Sequence, residues 1–131
     1  GPVRVLQQLV EPRRMLVDDV RRITNRITDA LKQYFPQVLD WFEDKDTLVF
    51  CDFLIHWSTL KQAQRARKTR LSAFFREHNV RYPHVIERRI QAILAATALT
   101  CDDAVITPNR LLVETLVQQL RVLLHYPGRI Y

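Results

Sequence analysis

Interior glycine is missing from this chain: its only two glycines, Gly1 and Gly128, lie at the ends. Few positions are therefore suited to a positive φ, so tight hairpins are disfavoured and long helices are expected. The same absence excludes a glycine-rich loop that cradles phosphates. Cysteine is also scarce, with Cys51 and Cys101 isolated from each other and no CxxC spacing. Both read as small core residues of a reduced, cytoplasmic protein, in preference to a disulfide or a metal site. Ser58 and Ser72 are the only serines, and neither sits in a nucleophile-elbow sequence. No apolar run approaches the roughly 20 residues that cross a bilayer, and no signal-peptide pattern opens the chain, so no membrane partner is expected.

The chemistry-bearing residue types that are present do not form a motif. His56, His78, His84 and His125 match no ligand pattern such as HExxH and read as surface or boundary residues. Asp18-Asp19 and Asp102-Asp103 are the adjacent carboxylate pairs outside an acidic loop. Neighbours on a helix point about 100° apart, so such a pair is badly placed to share one ion. Asp18 and Asp19 are expected to pair with Arg21, Arg22 or Arg14 on a solvated face. No catalytic residue and no metal ligand is therefore expected in this chain.

What is abundant is apolar helix-forming sequence and positive charge. The 131 residues, 47% of them apolar, suit one domain with a real core. Net charge is +6 with an isoelectric point near 9.8, and sixteen arginines stand against four lysines. Arginine's planar fork matches phosphate better than the lysine ammonium does, which favours nucleic acid as a partner.

Apolar positions at Leu6, Leu9, Leu16, Val20, Ile23, Ile27, Ala30 and Tyr34 step by threes and fours, once Arg13 takes one slot. That heptad seam predicts a long coiled-coil-like helix over residues 3–35. Pro12 either kinks this helix or lies in its first turn, and Pro36 ends it. Gln37 to Phe42 reads as a short helical turn, and Glu43 to Asp46 as an acidic loop. Leu48 to about Trp57 reads as helix capped by Asp46 or Thr47, although a buried strand has the same apolar content. Ser58 or Thr59 should cap a helix carrying Leu60, Ala63 and Ala66. Thr69 should cap another through Leu71, Phe74 and Phe75 to His78, with Asn79 as a left-handed stop. Pro83 opens a helix striped by Ile86, Ile90, Ile93 and Leu94. Thr107 as cap with Pro108 behind it predicts a returning helix over 107–126, seamed by Val113, Leu116, Leu120 and Leu123 and ended by Pro127-Gly128. The expected fold is all-α, with long first and last helices flanking a tip of several short helices at 36–106. Leu16, Val20, Ile23, Ile27, Leu116 and Leu120 are the candidates for helix pairing or oligomerisation.

The tip holds the densest charge. From Lys61 to Arg70 five cations fall in ten residues, with Asp52 and Glu77 as the nearest carboxylates. The candidate nucleic-acid contacts are Lys61, Arg65, Arg67, Lys68, Arg70, Arg76, Arg81, Arg88 and Arg89, with Lys61, Arg65 and Lys68 on one helical face by spacing. Phe74 and Phe75 fit the apolar stripe better than a base-stacking platform, while Tyr82 also interleaves with the charges. A second group, Arg13, Arg14, Arg21, Arg22 and Arg26, decorates the first helix, where solvated charge and intrahelical pairing are the competing explanation. Thr69 to His78, a turn, then Pro83 to Ala95 also has helix-turn-helix dimensions, with Arg88 and Arg89 on the would-be reading helix.

Residues 3 to 60 carry a family pattern. Arg13-Arg14, then Thr24-Asn25-Arg26-Ile27, then Phe35-Pro36-Gln37-Val38 fall along a long helix and the turn that ends it. This resembles the segment after the RuvC-like domain in the IS one-ten family of insertion-sequence transposases. The short helix after Trp57-Ser58-Thr59, the Glu87-Arg88 pair and the closing leucine-rich helix follow the family's order more loosely. Pro12 and the heavy charge of Lys61 to Arg70 depart from it. The resemblance implies a helical insert between a DEDD nuclease-like domain and a domain bearing a nucleophilic serine. It implies a parent that recombines DNA with a structured guide RNA, assembles as a homo-oligomer and uses divalent magnesium in its nuclease domain. Neither catalytic set maps onto this chain, which needs no cofactor of its own on this reading. Gly1-Pro2 looks like a protease-cleavage scar, in keeping with a piece of a longer protein. The alternatives are a helix-turn-helix regulator domain and a structural helical interaction module.

Overall fold

The computed structural model describes the backbone of residues 2–125 and the side chains of residues 14–125. Within them the chain forms seven helices and no strand. They are α1 (Pro2–Tyr34), α2 (Gln37–Trp41), α3 (Leu48–His56), α4 (Leu60–Arg65), α5 (Lys68–Glu77), α6 (Pro83–Ala95) and α7 (Asp103–Leu124). The side chains of Leu6, Leu9 and Arg13, the Gly1 end and the Pro127-Gly128 stop lie outside the described residues.

Helix α1 does not begin at Pro12, because helical backbone already extends from Pro2. Its described seam is buried: Leu16, Val20, Ile27, Ala30 and Tyr34 are in the core, and Ile23 packs against it. The amide of Phe35 closes the last turn on the Leu31 carbonyl at 2.7 Å, and Pro36, lacking an amide proton, then stops the helix. Helix α7 returns antiparallel to α1. Asp19 and Ile23 of α1 share a groove with Val122 and Leu123 near the end of α7, whereas Tyr34 shares one with Ile106 near its start. Val113, Leu116, Val117, Leu120 and Leu124 are the buried positions of α7. The two heptad seams thus cover each other within one chain.

Helix α7 starts four residues before the expected Thr107. The Asp102 carboxylate accepts from the Ala104 amide at 3.0 Å, and Asp103 adds a favourable charge to the first turn. That cap outweighs the Thr107-Pro108 signal, and Pro108 lies inside the helix, where its missing amide forfeits one intrahelical bond.

Helix α3 settles the strand-or-helix ambiguity of its sequence. Thr47, not Asp46, supplies the cap, and Phe50, Cys51, Phe53 and Leu54 are buried at helical spacing. Phe53 is central to the core, with ring centroids 5.1 Å from Phe42, 5.1 Å from Trp57 and 5.8 Å from Phe74. Helix α3 packs along α7, while α4 and α5 both pack on α6. Thr59 caps α4 through the Gln62 amide at 3.2 Å. Thr69 does not cap α5, which begins at Lys68 behind Arg67 and has no side-chain cap. Asn79 is the left-handed stop, at φ 67°. In α6 the stripe is Ile86, Ile90 and Ile93, and the expected fourth member, Leu94, is exposed because it turns past the buried arc. Cys51 is buried, but Cys101 is exposed, since it falls in the loop before α7 and not on a packed face. No described helix is long and apolar enough to cross a membrane.

Candidate nucleic-acid interface

Lys61 and Arg65 project from α4, Arg67 from the α4–α5 link, Lys68, Arg70 and Arg76 from α5, Arg81 from the turn, and Arg88 and Arg89 from α6. The first eight are exposed. Lys68 does not continue the Lys61 and Arg65 face, because α4 ends at Arg65 and Ala66 is extended (φ −67°, ψ 143°). The set is held together by packing instead. Gln64 of α4 donates through Nε2 to the Ile93 and Ala96 carbonyls, at 3.1 and 2.6 Å, closing the C-terminal end of α6. Leu71, Phe74 and Phe75 hold α5 to the core from its inner face. Phe74 and Phe75 are therefore unavailable to stack bases, whereas Tyr82 is 67% exposed.

None of these nine cations forms an ion pair among the described residues. Other arginines do: Arg22 pairs with Asp19 at 2.9 Å, as expected for that solvated face, and Arg110 with Glu114 at 3.0 Å. Positive charge is also concentrated where it is least favoured. The first turn of α5 carries Lys68 and Arg70, holds no acidic residue and has no side-chain cap. Free amides and the positive end of the helix dipole face the same cations, an arrangement that an anion stabilises.

Arg89 is the exception in the set. Its guanidinium lies 5.6 Å from the Phe42 ring centroid and 5.5 Å from that of Phe75. Burial first, and the charge of Arg88 second, hold it below the usual arginine range. The helix pair α5 and α6 of the helix-turn-helix alternative is present, but Arg89 is turned onto these rings and only Arg88 is fully outward.

Compared with known proteins, the chain matches no family model, no curated protein and no solved structure.

Two polar clusters were not visible in the sequence, because their members lie far apart in the chain. His78 bridges Asp52 and the Phe74 carbonyl, and Arg121 also reaches Asp52. Ser58, the buried polar residue of the core, donates its hydroxyl to Glu114 Oε1 at 2.8 Å and its amide to Gln62 Oε1 at 2.9 Å. The Ser58 carbonyl accepts from the Tyr34 hydroxyl at 2.8 Å. No group of three or more His, Cys, Asp or Glu side chains converges to hold a metal among the described residues. Both clusters tie α3 or its following loop to α7, so they position the tip and do not compete with its cations.

Proposed function

We propose that this chain is a helical nucleic-acid-binding and assembly module of a DNA transposase or recombinase. The observation that carries the binding reading is the uncapped start of α5, where Arg67, Lys68 and Arg70 are exposed and without carboxylate partners among the described residues. Such a corner suits phosphate backbones, because it adds helix-end amides to exposed guanidinium and ammonium groups. Lys61, Arg65, Arg76 and Arg81 extend the positive surface along α4, α5 and the following turn. Tyr82 supplies an exposed aromatic face beside it. The transposase assignment is supported by the sequence resemblance of residues 3 to 60 and by the order of long and short helices. DNA and a structured guide RNA are the partners on this reading, and subunit assembly would use surface left over once the α1–α7 seam is covered.

A gel-shift series over salt concentration tests it, with duplex DNA and structured RNA as probes. Contact with about six phosphates gives a slope of log affinity against log salt of about −5. Replacing Lys61, Arg65, Lys68 and Arg70 together by Ala should flatten that slope and abolish binding near physiological salt. Absence of binding by the unchanged protein at low salt would leave the structural-module reading.

A further inference from the structure

A cleft also lies away from the α5 corner. It lies between α2 with its following acidic loop and α6, encloses about 590 Å³, and is lined among others by Asp40, Trp41, Glu43, Lys45, Arg88 and Arg89. That volume is within the range of small-ligand sites. We propose that this cleft binds one unpaired nucleotide, with its phosphate on the Arg89 guanidinium and its base against Trp41. The proposal rests on the nucleic-acid reading above and adds a second, separate contact to it.

Three observations converge on Arg89. The Arg89 guanidinium lies over the Phe42 and Phe75 rings, 5.6 and 5.5 Å from their centroids, which places its charge at the cleft wall. No carboxylate pairs with it among the described residues, although Asp40 and Glu43 line the same cleft. It is also half-buried beside the exposed Arg88, so an incoming anion would offset the repulsion between the two cations. Lys45 is fixed nearby by its ammonium, which donates to the Phe42 and Glu43 carbonyls, so the rim opposite α6 is ordered as well.

The remaining lining chemistry selects a nucleotide over a bare anion. Trp41 is half-buried and held by edge contacts to Phe35 and Phe53, at centroid distances of 5.5 and 6.0 Å. It offers a fixed aromatic wall, and bases stack on such walls irrespective of sequence. Asp40 and Glu43 are exposed acceptors that repel a bare polyanion and suit the amino group of a base. A duplex keeps its bases inside the stack, so only an unpaired nucleotide can fill the cleft.

The test titrates the protein with cytidine 5′-monophosphate, cytidine and inorganic phosphate, following the Arg89 Nε–H and Trp41 indole resonances by NMR. Binding of a short single strand and of a duplex is measured in parallel. The monophosphate should shift both resonances, while cytidine and phosphate alone should do so only at about tenfold higher concentration. Arg89→Met, which keeps an apolar stem on the two rings, should weaken single-strand binding about tenfold. Arg88→Ala, at an exposed position of the cleft lining, should likewise weaken single-strand binding without touching the core. Unshifted Arg89 and Trp41 signals, or single-strand affinity unaltered by Arg88→Ala, overturn the cleft proposal even if the α5 corner binds duplex. Loss of duplex binding in the α5-corner variant with the cleft signals intact would instead separate the two sites.

Discussion

His78 Nε2 lies 2.8 Å from Asp52 Oδ2, and the other ring nitrogen of His78 lies 2.9 Å from the Phe74 carbonyl oxygen. Both partners are acceptors, so the ring satisfies both only when it carries two protons. Arg121 donates to the second oxygen of Asp52 at 2.9 Å. A single carboxylate on α3 therefore joins the end of α5 to the last turns of α7.

Removing that carboxylate should loosen the three helices together. Asp52→Asn is expected to cost about 1–3 kcal/mol in urea unfolding at neutral pH, because it weakens two charge-assisted bonds. Burial alone would raise the Asp52 carboxyl, but the bonds and charges of His78 and Arg121 outweigh it and hold it below its ordinary 3.8. A lowered folded value means stability that is present above that ordinary value and drains away as pH falls through the folded one. The acid limb of stability against pH should therefore be shallower in Asp52→Asn than in the unchanged protein; identical limbs would refute the linkage.

Tyr34 should govern the opposite limb. Burial, then the nearby Glu114 charge, raise its hydroxyl well above the usual tyrosine range, with Arg110 partly opposing them. Its contribution is fully present below the ordinary value of 10.0 and is lost as pH rises beyond it, since the unfolded chain ionises first. In an alkaline absorbance titration Tyr34 should ionise only with unfolding. Tyr34→Phe should cost about 1 kcal/mol through the lost bond to the Ser58 carbonyl and remove that coupling.

The seam of α1 and α7 makes a prediction about assembly. Ile27 is wholly buried and Leu116 is nearly so, between helices of the same chain. Ile27→Ala and Leu116→Ala should each cost about 2–5 kcal/mol, at midpoints that do not depend on protein concentration. A midpoint that falls on dilution would show that the seam joins subunits.

Thiol labelling should separate the two cysteines. Cys101 is exposed and Cys51 is buried, so one thiol per chain should react rapidly and the second only on the timescale of opening. Two fast thiols would contradict the burial of α3.

Local signals were enough for the existence of the long helices, for Asn79 as a stop and for a cap at Ser58 or Thr59, because each depends on residues within a turn or two; the structure chose Thr59. They failed where two of them competed. The Thr107-Pro108 start lost to Asp102, and Thr69 lost to an uncapped start at Arg67, because packing decides which helical turns are retained. The charge count at Lys61 to Arg70 was legible as composition. Its division between two helices, and the folding of Arg89 onto Phe42 and Phe75, were not.

By itself the sequence determined a helical fold class with two heptad seams and a cationic middle, since helix period, proline stops and the lack of interior glycine act locally; that the seams cover each other within one chain came from the tertiary structure. Only the tertiary structure decided which cations remain unpaired, which arginine is held against aromatic rings, and that Asp52, His78 and Arg121 meet. The meeting of Asp52, His78 and Arg121 joins residues 26 and 69 positions apart, and no local spacing encodes it.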